Sequence, residues 1–178
     1  MTDMPTPTIN TSDVRTTAFG DWISVDSRTV QLAGSQSMET HVVRFPAIAL
    51  IVALDGDDLV LIRQFRFPPQ SWVIEAPAGR VEPREDPART AVRELREETG
   101  FQAGQVELVG TLRISPHLSD ETTYVYAATG LVPGPAHPDK GEFIQRFMVP
   151  RGNVRAMVRE GRIVDAKTIA ALAVCDVI

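Results

Sequence analysis

The chain has 178 residues, 43% of them apolar, which suffices for one main globular unit with a sizeable core, with or without an appendage. Its net charge is −5 and its basic residues are scattered among acidic ones, so it offers no electrostatic footprint for nucleic acid or an anionic membrane, while a small charged substrate remains open. Cys175 is the single cysteine, which excludes an internal disulfide, and His41, His117 and His137 lack the spacing of a zinc site.

Residues 1–13, MTDMPTPTINTSD, are rich in Thr, Pro and Asp and are expected to form a disordered tail. They carry no basic n-region and no apolar h-region, and no run approaches about 18 consecutive apolar residues, so neither secretion nor membrane insertion is expected. A reducing cytoplasm fits best. Residues 14–45 follow as N-terminal strands: DWISVDSRTVQLAGS and METHVVRF alternate loosely and carry β-branched residues on either side of a turn at Gly34. The main domain is expected over 46–178. Within it AIALIVALDGDDLVLIRQFRF reads as two apolar strands joined at DGDD, and SWVIEAPAG reads as one further short strand with Trp72 in the core.

Asp86 is a good N-cap, Pro87 suits the first helical position and Gly100 suits a left-handed stop, so a helix of three to four turns is predicted between them. QVELVGTLRIS, TTYVYAATGL and EFIQRFMVP then look like strands, and helices over about 151–160 and 166–175, the last capped by Asp165, close the chain. Strands mixed with helices at the middle and end indicate an α/β sandwich.

On the first helix Glu94, Glu97 and Glu98 fall at i, i+3 and i+4 and cover one narrow face. Ala88, Ala91, Val92, Leu95 and Thr99 form a core face, and Arg89, Arg93 and Arg96 a basic one. Like charges at this spacing destabilise a helix by on the order of a few tenths of a kcal/mol, and by more once desolvated. Either the face is simply solvated, or a hard cation gathers its oxygens. The turn at APAG favours the second reading, because its bare backbone can offer a carbonyl such as that of Ala78, and magnesium takes few carboxylates and leaves room for water and phosphate. Together these features point toward metal-assisted phosphoryl chemistry.

The segment resembles the Nudix box: Gly79, five residues, Glu85, seven residues, Arg93-Glu94-Leu95, any residue, Glu97-Glu98, any residue, Gly100, then apolar Phe101. The resemblance implies the Nudix α/β/α sandwich with a mixed sheet, plus a small N-terminal β-sheet that many relatives exchange in an intertwined homodimer. It implies hydrolysis of a nucleoside diphosphate linked to another group, with Mg²⁺ as cofactor and Mn²⁺ or another divalent cation able to substitute. Carried over by position, Ala78, Glu94, Glu97 and Glu98 would bind metal, Arg93 would orient the glutamates and Glu85 would support the loop.

Flanking residues resemble the ADP-ribose (ADP-sugar) pyrophosphatase branch: RQFRF, EAPAG, and Pro116 in ISPHLSDE, although His117 stands where that branch often has glycine. In that branch Arg66 aligns with an arginine on the diphosphate, with Arg63 a second candidate, and Trp22 with a ring stacked on adenine. Glu142 in DKGEFIQRF matches the loop of the general base, with Glu97 and Glu121 as rivals. The implied reaction is ADP-ribose to AMP and ribose 5-phosphate. GDP-mannose or another nucleotide sugar is the alternative substrate, and a non-catalytic ADP-ribose sensor is the weaker reading because the box is complete.

Overall fold

The structure, a computed structural model, describes residues 8–9, 13–31 and 37–178. The expected turn at Gly34 and most of the 1–13 stretch lie outside these residues. The chain divides into two compact units, Met1–Pro46 with Ser115–Glu121, and Ala47–Ile114 with Thr122–Ile178.

Strands β1 (Thr8–Ile9), β2 (Arg15–Phe19), β3 (Ile23–Gln31) and β4 (Ser37–Arg44) form the sheet of the first unit, with β3 antiparallel to the other three. Thr8 and Ile9 pair with Gln31 and Val30, so this part of the N-terminal stretch is extended strand. The sequence reading did not pick out β2, whose five residues are all exposed and carry no apolar alternation. Among the described residues of this unit no apolar side chain is buried. Its centre is Asp26, which accepts hydrogen bonds from Thr16 at 2.7 Å, Arg44 at 2.7 Å and Arg28 at 3.1 Å. The Thr16 hydroxyl and the Arg44 guanidinium hold the Asp26 carboxyl below its usual range. Arg44 also donates to Asp120 at 2.5 Å and so ties the 115–121 segment to this sheet.

The second unit holds β5 (Ile48–Asp55), β6 (Asp58–Arg66), β7 (Ser71–Glu75), β8 (Ala78–Arg80), α1 (Pro87–Thr99), β9 (Gln105–Leu112), β10 (Thr123–Thr129), β11 (Ile144–Pro150), α2 (Arg151–Arg159) and α3 (Ala166–Val174). Its seven-stranded sheet runs β11-β6-β5-β10-β9, with β7 beside β6 and β8 beside β5. Only the β5–β10 pair is parallel, so the sheet is mixed.

Alternation along β5 explains the layers. Ala49, Ile51 and Ala53 pack with Ala91 and Leu95 of α1, whereas Leu50 and Val52 pack with Val154 and Met157 of α2 and Ala171 and Leu172 of α3. Each fully buried Leu or Val stabilises the unit by about 1.5–3 kcal/mol. The result is the expected α/β/α sandwich. The β5–β6 hairpin closes between Asp55 and Asp58, with Gly56 at φ +60°. Among the described residues no helix is long and apolar enough to cross a membrane.

Helix α1 has the predicted ends. The Asp86 side chain accepts from the Ala88 N–H at 2.8 Å, Pro87 opens the first turn, and Gly100 stops the helix at φ +77°. Three expectations are corrected. SWVIEAPAG makes two strands, because Ala76-Pro77 breaks the run between β7 and β8. Trp72 is 41% exposed rather than core, and so is Val92 at 41%, which lies at the margin of the apolar face of α1.

Candidate active site

Strand β8 and helix α1 face each other closely. A Cβ at Gly79 would lie 1.8 Å from Glu94 Oε1, so only a glycine lets this carboxylate reach the strand. One residue back, the Ala78 N–H donates to Glu98 Oε2 at 3.0 Å. Backbone and helix thereby gather two carboxylates at one turn.

Arg93 stands among the acids rather than on a separate basic face. Its Nη1 donates to Glu94 at 2.7 Å and to Glu97 at 3.0 Å, and its Nε and Nη2 grip the two oxygens of Glu85, each at 3.1 Å. Glu85 also accepts from the Thr90 hydroxyl at 2.7 Å and from the Glu82 N–H at 3.3 Å. The Arg93 bonds above all hold its carboxyl down at about 2, and Glu85 in return raises the Arg93 guanidinium. Glu85 thus braces the loop and Arg93 together.

Glu98 and Glu94 are shifted in the opposite direction. Burial pushes Glu98 well above the usual carboxylate range, the Glu94 and Glu142 charges add to the push, and the Ala78 N–H and Arg66 oppose it. Burial also raises Glu94, against the pull of Arg93. Glu142 is exposed on a turn in which its carboxylate accepts from the Asp139 N–H at 3.1 Å. The loop leading to it rests on the end of α1: the His137 N–H donates to the Glu97 carbonyl at 2.8 Å, and a Cβ at Gly100 would lie 2.2 Å from the Gly134 oxygen.

Arg66 lies on the same face of the sheet, where the charge of Glu98 helps to raise it. Glu75, 5% exposed, accepts two bonds from it at 2.8 and 2.5 Å. The sequence reading missed Glu75, and the hairpin pairing of β6 with β7 was the signal that could have found it. Arg63, three residues earlier on the strand, faces the other way and lies over the Trp72 ring at 4.9 Å. The structure therefore brings together Ala78, Glu85, Arg93, Glu94, Glu97 and Glu98, with Arg66 and Glu142 within electrostatic reach, and turns Arg63 away. Trp22 and Glu121 belong to the first unit. Trp22 sits in the β2–β3 turn, 47% exposed and 6.0 Å from Phe45, and the Glu121 N–H donates to Ser119 at 2.9 Å.

Among the described residues no three His, Cys, Asp or Glu side chains form a ready metal cage. Arg93 draws Glu94 and Glu97 to itself while Glu98 leans on β8. The donor set still fits a hard divalent cation: carboxylate oxygens in excess of nearby positive charge, two of them disfavoured as bare anions by burial. Such a cation needs only one or two of these carboxylates, the rest of its shell being water and phosphate.

The likenesses agree with this geometry. The chain is 35% identical over 146 residues to the methanol dehydrogenase activator of Bacillus methanolicus, covering 80% of this chain and 79% of that protein. It is 31% identical over 146 residues, with the same coverage, to the ADP-ribose pyrophosphatase of Bacillus subtilis (strain 168). A crystal structure of an ADP compounds hydrolase superposes with a TM-score of 0.86 at 23% identity, covering 99% of this chain and 95% of that one, a likeness of fold. The NUDIX domain matches residues 43–172, and with the box residues gathered at the β8–α1 turn, the chain belongs to the Nudix hydrolase family.

Proposed function

We propose that the protein hydrolyses the diphosphate bond of a nucleoside diphosphate sugar with Mg²⁺, converting ADP-ribose to AMP and ribose 5-phosphate. The observation that carries the proposal is the crowding of Glu94, Glu97 and Glu98 at the Ala78–Gly79 turn, with Arg93 paired to Glu94 and Glu97 and Glu98 bonded to the Ala78 N–H. The substrate is supported by the relative from Bacillus subtilis, whose name states ADP-ribose.

Glu94, Glu97, Glu98 and the Ala78 carbonyl would hold the cation, which when bound supplies Lewis-acid polarisation of the diphosphate and lowers the pKa of a bound water. Arg93 keeps the glutamates oriented. Arg66 commits two of its five N–H donors to Glu75, which fixes the guanidinium plane for bidentate contact with phosphate oxygens through others. Glu142, exposed on its turn and close enough for its charge to act on Glu94 and Glu98, would accept the proton of the attacking water, in preference to Glu97, which Arg93 engages, and to Glu121. Trp22 offers a half-exposed indole for the adenine ring. The first unit buries no apolar side chain among its described residues, which supports its use as the contact surface of a homodimer. A cytoplasmic site of action is consistent with the lone Cys175.

The test is to incubate the protein and Mg²⁺ with ADP-ribose, GDP-mannose, NADH, diadenosine polyphosphates and nucleoside triphosphates and to identify the products. AMP and ribose 5-phosphate from ADP-ribose are expected. Brisk turnover of another compound with ADP-ribose untouched would overturn the substrate, and no turnover of any would overturn the activity. Light scattering is expected to give a dimer mass, and a monomer mass at assay concentrations would remove the dimer.

A further inference from the structure

Arg63, turned away from the glutamates, lines a cavity of about 850 Å³ on the opposite face of the sheet, together with Trp72, Ile74, Gln145, Phe147 and Arg162. Strand pairing builds it: Arg63 of β6 lies between Ile74 of β7 and Gln145 of β11, Trp72 pairs with Phe65, and Phe147 pairs with Leu61. Two residues along β6, Leu61 is fully buried in the core beneath α2 and α3, whereas Arg63 is exposed.

The chemistry of the lining is specific. Arg63 lies against the Trp72 ring rather than a carboxylate. Arg162 is paired with Glu160 at 2.9 Å, but the two side chains are 54% and 58% exposed, and an ion pair so exposed contributes about 0–1 kcal/mol and is readily exchanged for a better anion. Arg146 also borders the cavity, but its guanidinium is engaged by the Thr99 carbonyl at 2.5 Å and lies over Phe101. Two guanidiniums, two aromatic rings and an amide therefore share one concavity. Its volume falls within the roughly 300–1,000 Å³ of small-molecule sites and exceeds what a simple anion needs.

We propose that this cavity is a second binding site, separate from the glutamate cluster, for a nucleoside monophosphate. Arg63 and Arg162 hold the phosphate, Trp72 and Phe147 receive the base, and the Gln145 amide meets its polar edge. A molecule of this class leaves the proposed reaction as product, so the site would report product concentration to the enzyme.

Trp22 and Trp72 are the only tryptophans, so in a Trp22→Phe background the emission belongs to Trp72. That protein is titrated in EDTA with AMP, adenosine and inorganic phosphate. AMP is expected to quench Trp72 saturably, with adenosine and phosphate each weaker by about tenfold or more. Arg63→Gln and Arg162→Gln, introduced separately so that a folding defect in one leaves the other informative, are expected to weaken AMP by a similar factor, and Glu98→Gln to leave it unchanged. The proposal is overturned by any of four results: no saturable quenching, quenching indifferent to both arginine variants, quenching lost in Glu98→Gln, or phosphate as strong as AMP. Quenching that follows protein concentration rather than AMP would also overturn it, since a second copy of the chain would then be what covers the cavity. The glutamate-site reading stands or falls separately, by turnover of ADP-ribose.

Discussion

The two units solve the problem of holding a sheet in opposite ways. The seven-stranded sheet buries apolar side chains on both faces, Ala49 and Ile51 beneath α1 and Leu50 and Val52 beneath α2 and α3. The four-stranded sheet buries Asp26 and, among its described residues, nothing apolar; it is fastened by Arg28, Arg44 and Thr16 around one carboxylate. A sheet with an apolar core on each side can hold buried charge at its margin, and the glutamates sit there, at the β8–α1 turn. A sheet without such a core gains from a partner surface. The contrast teaches that a sheet with an apolar core on each face can carry a crowded carboxylate cluster at its margin, whereas the sheet without one is organised around a single carboxylate.

The largest effect is expected at that margin. Glu98→Gln keeps the volume and the acceptor for the Ala78 N–H but removes a charge, and it should lower kcat more than about 100-fold, beyond what changes outside a metal's direct ligands cause. Steady-state kinetics check this, with circular dichroism to show an intact fold. Next, Leu50→Ala should destabilise the second unit by about 2–5 kcal/mol through a buried cavity. The half-buried Val25→Ala in the first unit should destabilise by about 1 kcal/mol or less. Equal losses in denaturant melts would erase the contrast between the sheets.

Gly100→Ala should destabilise by about 1–2 kcal/mol from its positive φ alone, and its methyl would push on the loop at Gly134 that leads to Glu142. Activity should therefore fall further than stability, as parallel melts and kinetics would show. A pH-dependent effect concerns Glu85, whose folded pKa lies near 2, below its value of about 4.5 when unfolded. A depressed carboxylate contributes stability that is fully present above the unfolded pKa and is lost as pH falls toward the folded one. Stability should thus drop between about pH 4.5 and 2 more steeply in the wild type than in Glu85→Gln, measured by urea unfolding across that range.

Local rules made much of this legible. Asp86, Pro87 and Gly100 placed both ends of α1, because caps and stops act through the backbone of the residue itself. The apolar runs on either side of DGDD placed β5 and β6, and the box spacing placed Glu94, Glu97 and Glu98 on one face. Arg93 starts on the face that helical spacing assigns to the arginines, but its length carries the guanidinium back to Glu85, Glu94 and Glu97, in keeping with its expected part in orienting the glutamates. Trp72 was misread as core because composition cannot tell which strand end the helical layer leaves bare. The approach of Gly134 to Gly100, and of Glu94 to Gly79, joins segments distant in sequence through loops that have no period to read. The division of Arg63 from Arg66 was legible in principle, since residues three apart on a strand face opposite ways.

The account rests on the glutamates being crowded for a cation, and thermal melts of wild type and Glu98→Gln, in EDTA and in excess MgCl₂, test it most directly. Burial raises the pKa of Glu98 in the fold, so its charged form disfavours folding at neutral pH while no metal is bound. In EDTA the variant should therefore melt above the wild type. Added Mg²⁺ should raise the wild-type Tm, by the equivalent of about 2.7 kcal/mol at a hundred times Kd, and leave the variant nearly unmoved. A variant that melts lower than the wild type in EDTA, and that gains as much from Mg²⁺, would contradict the account.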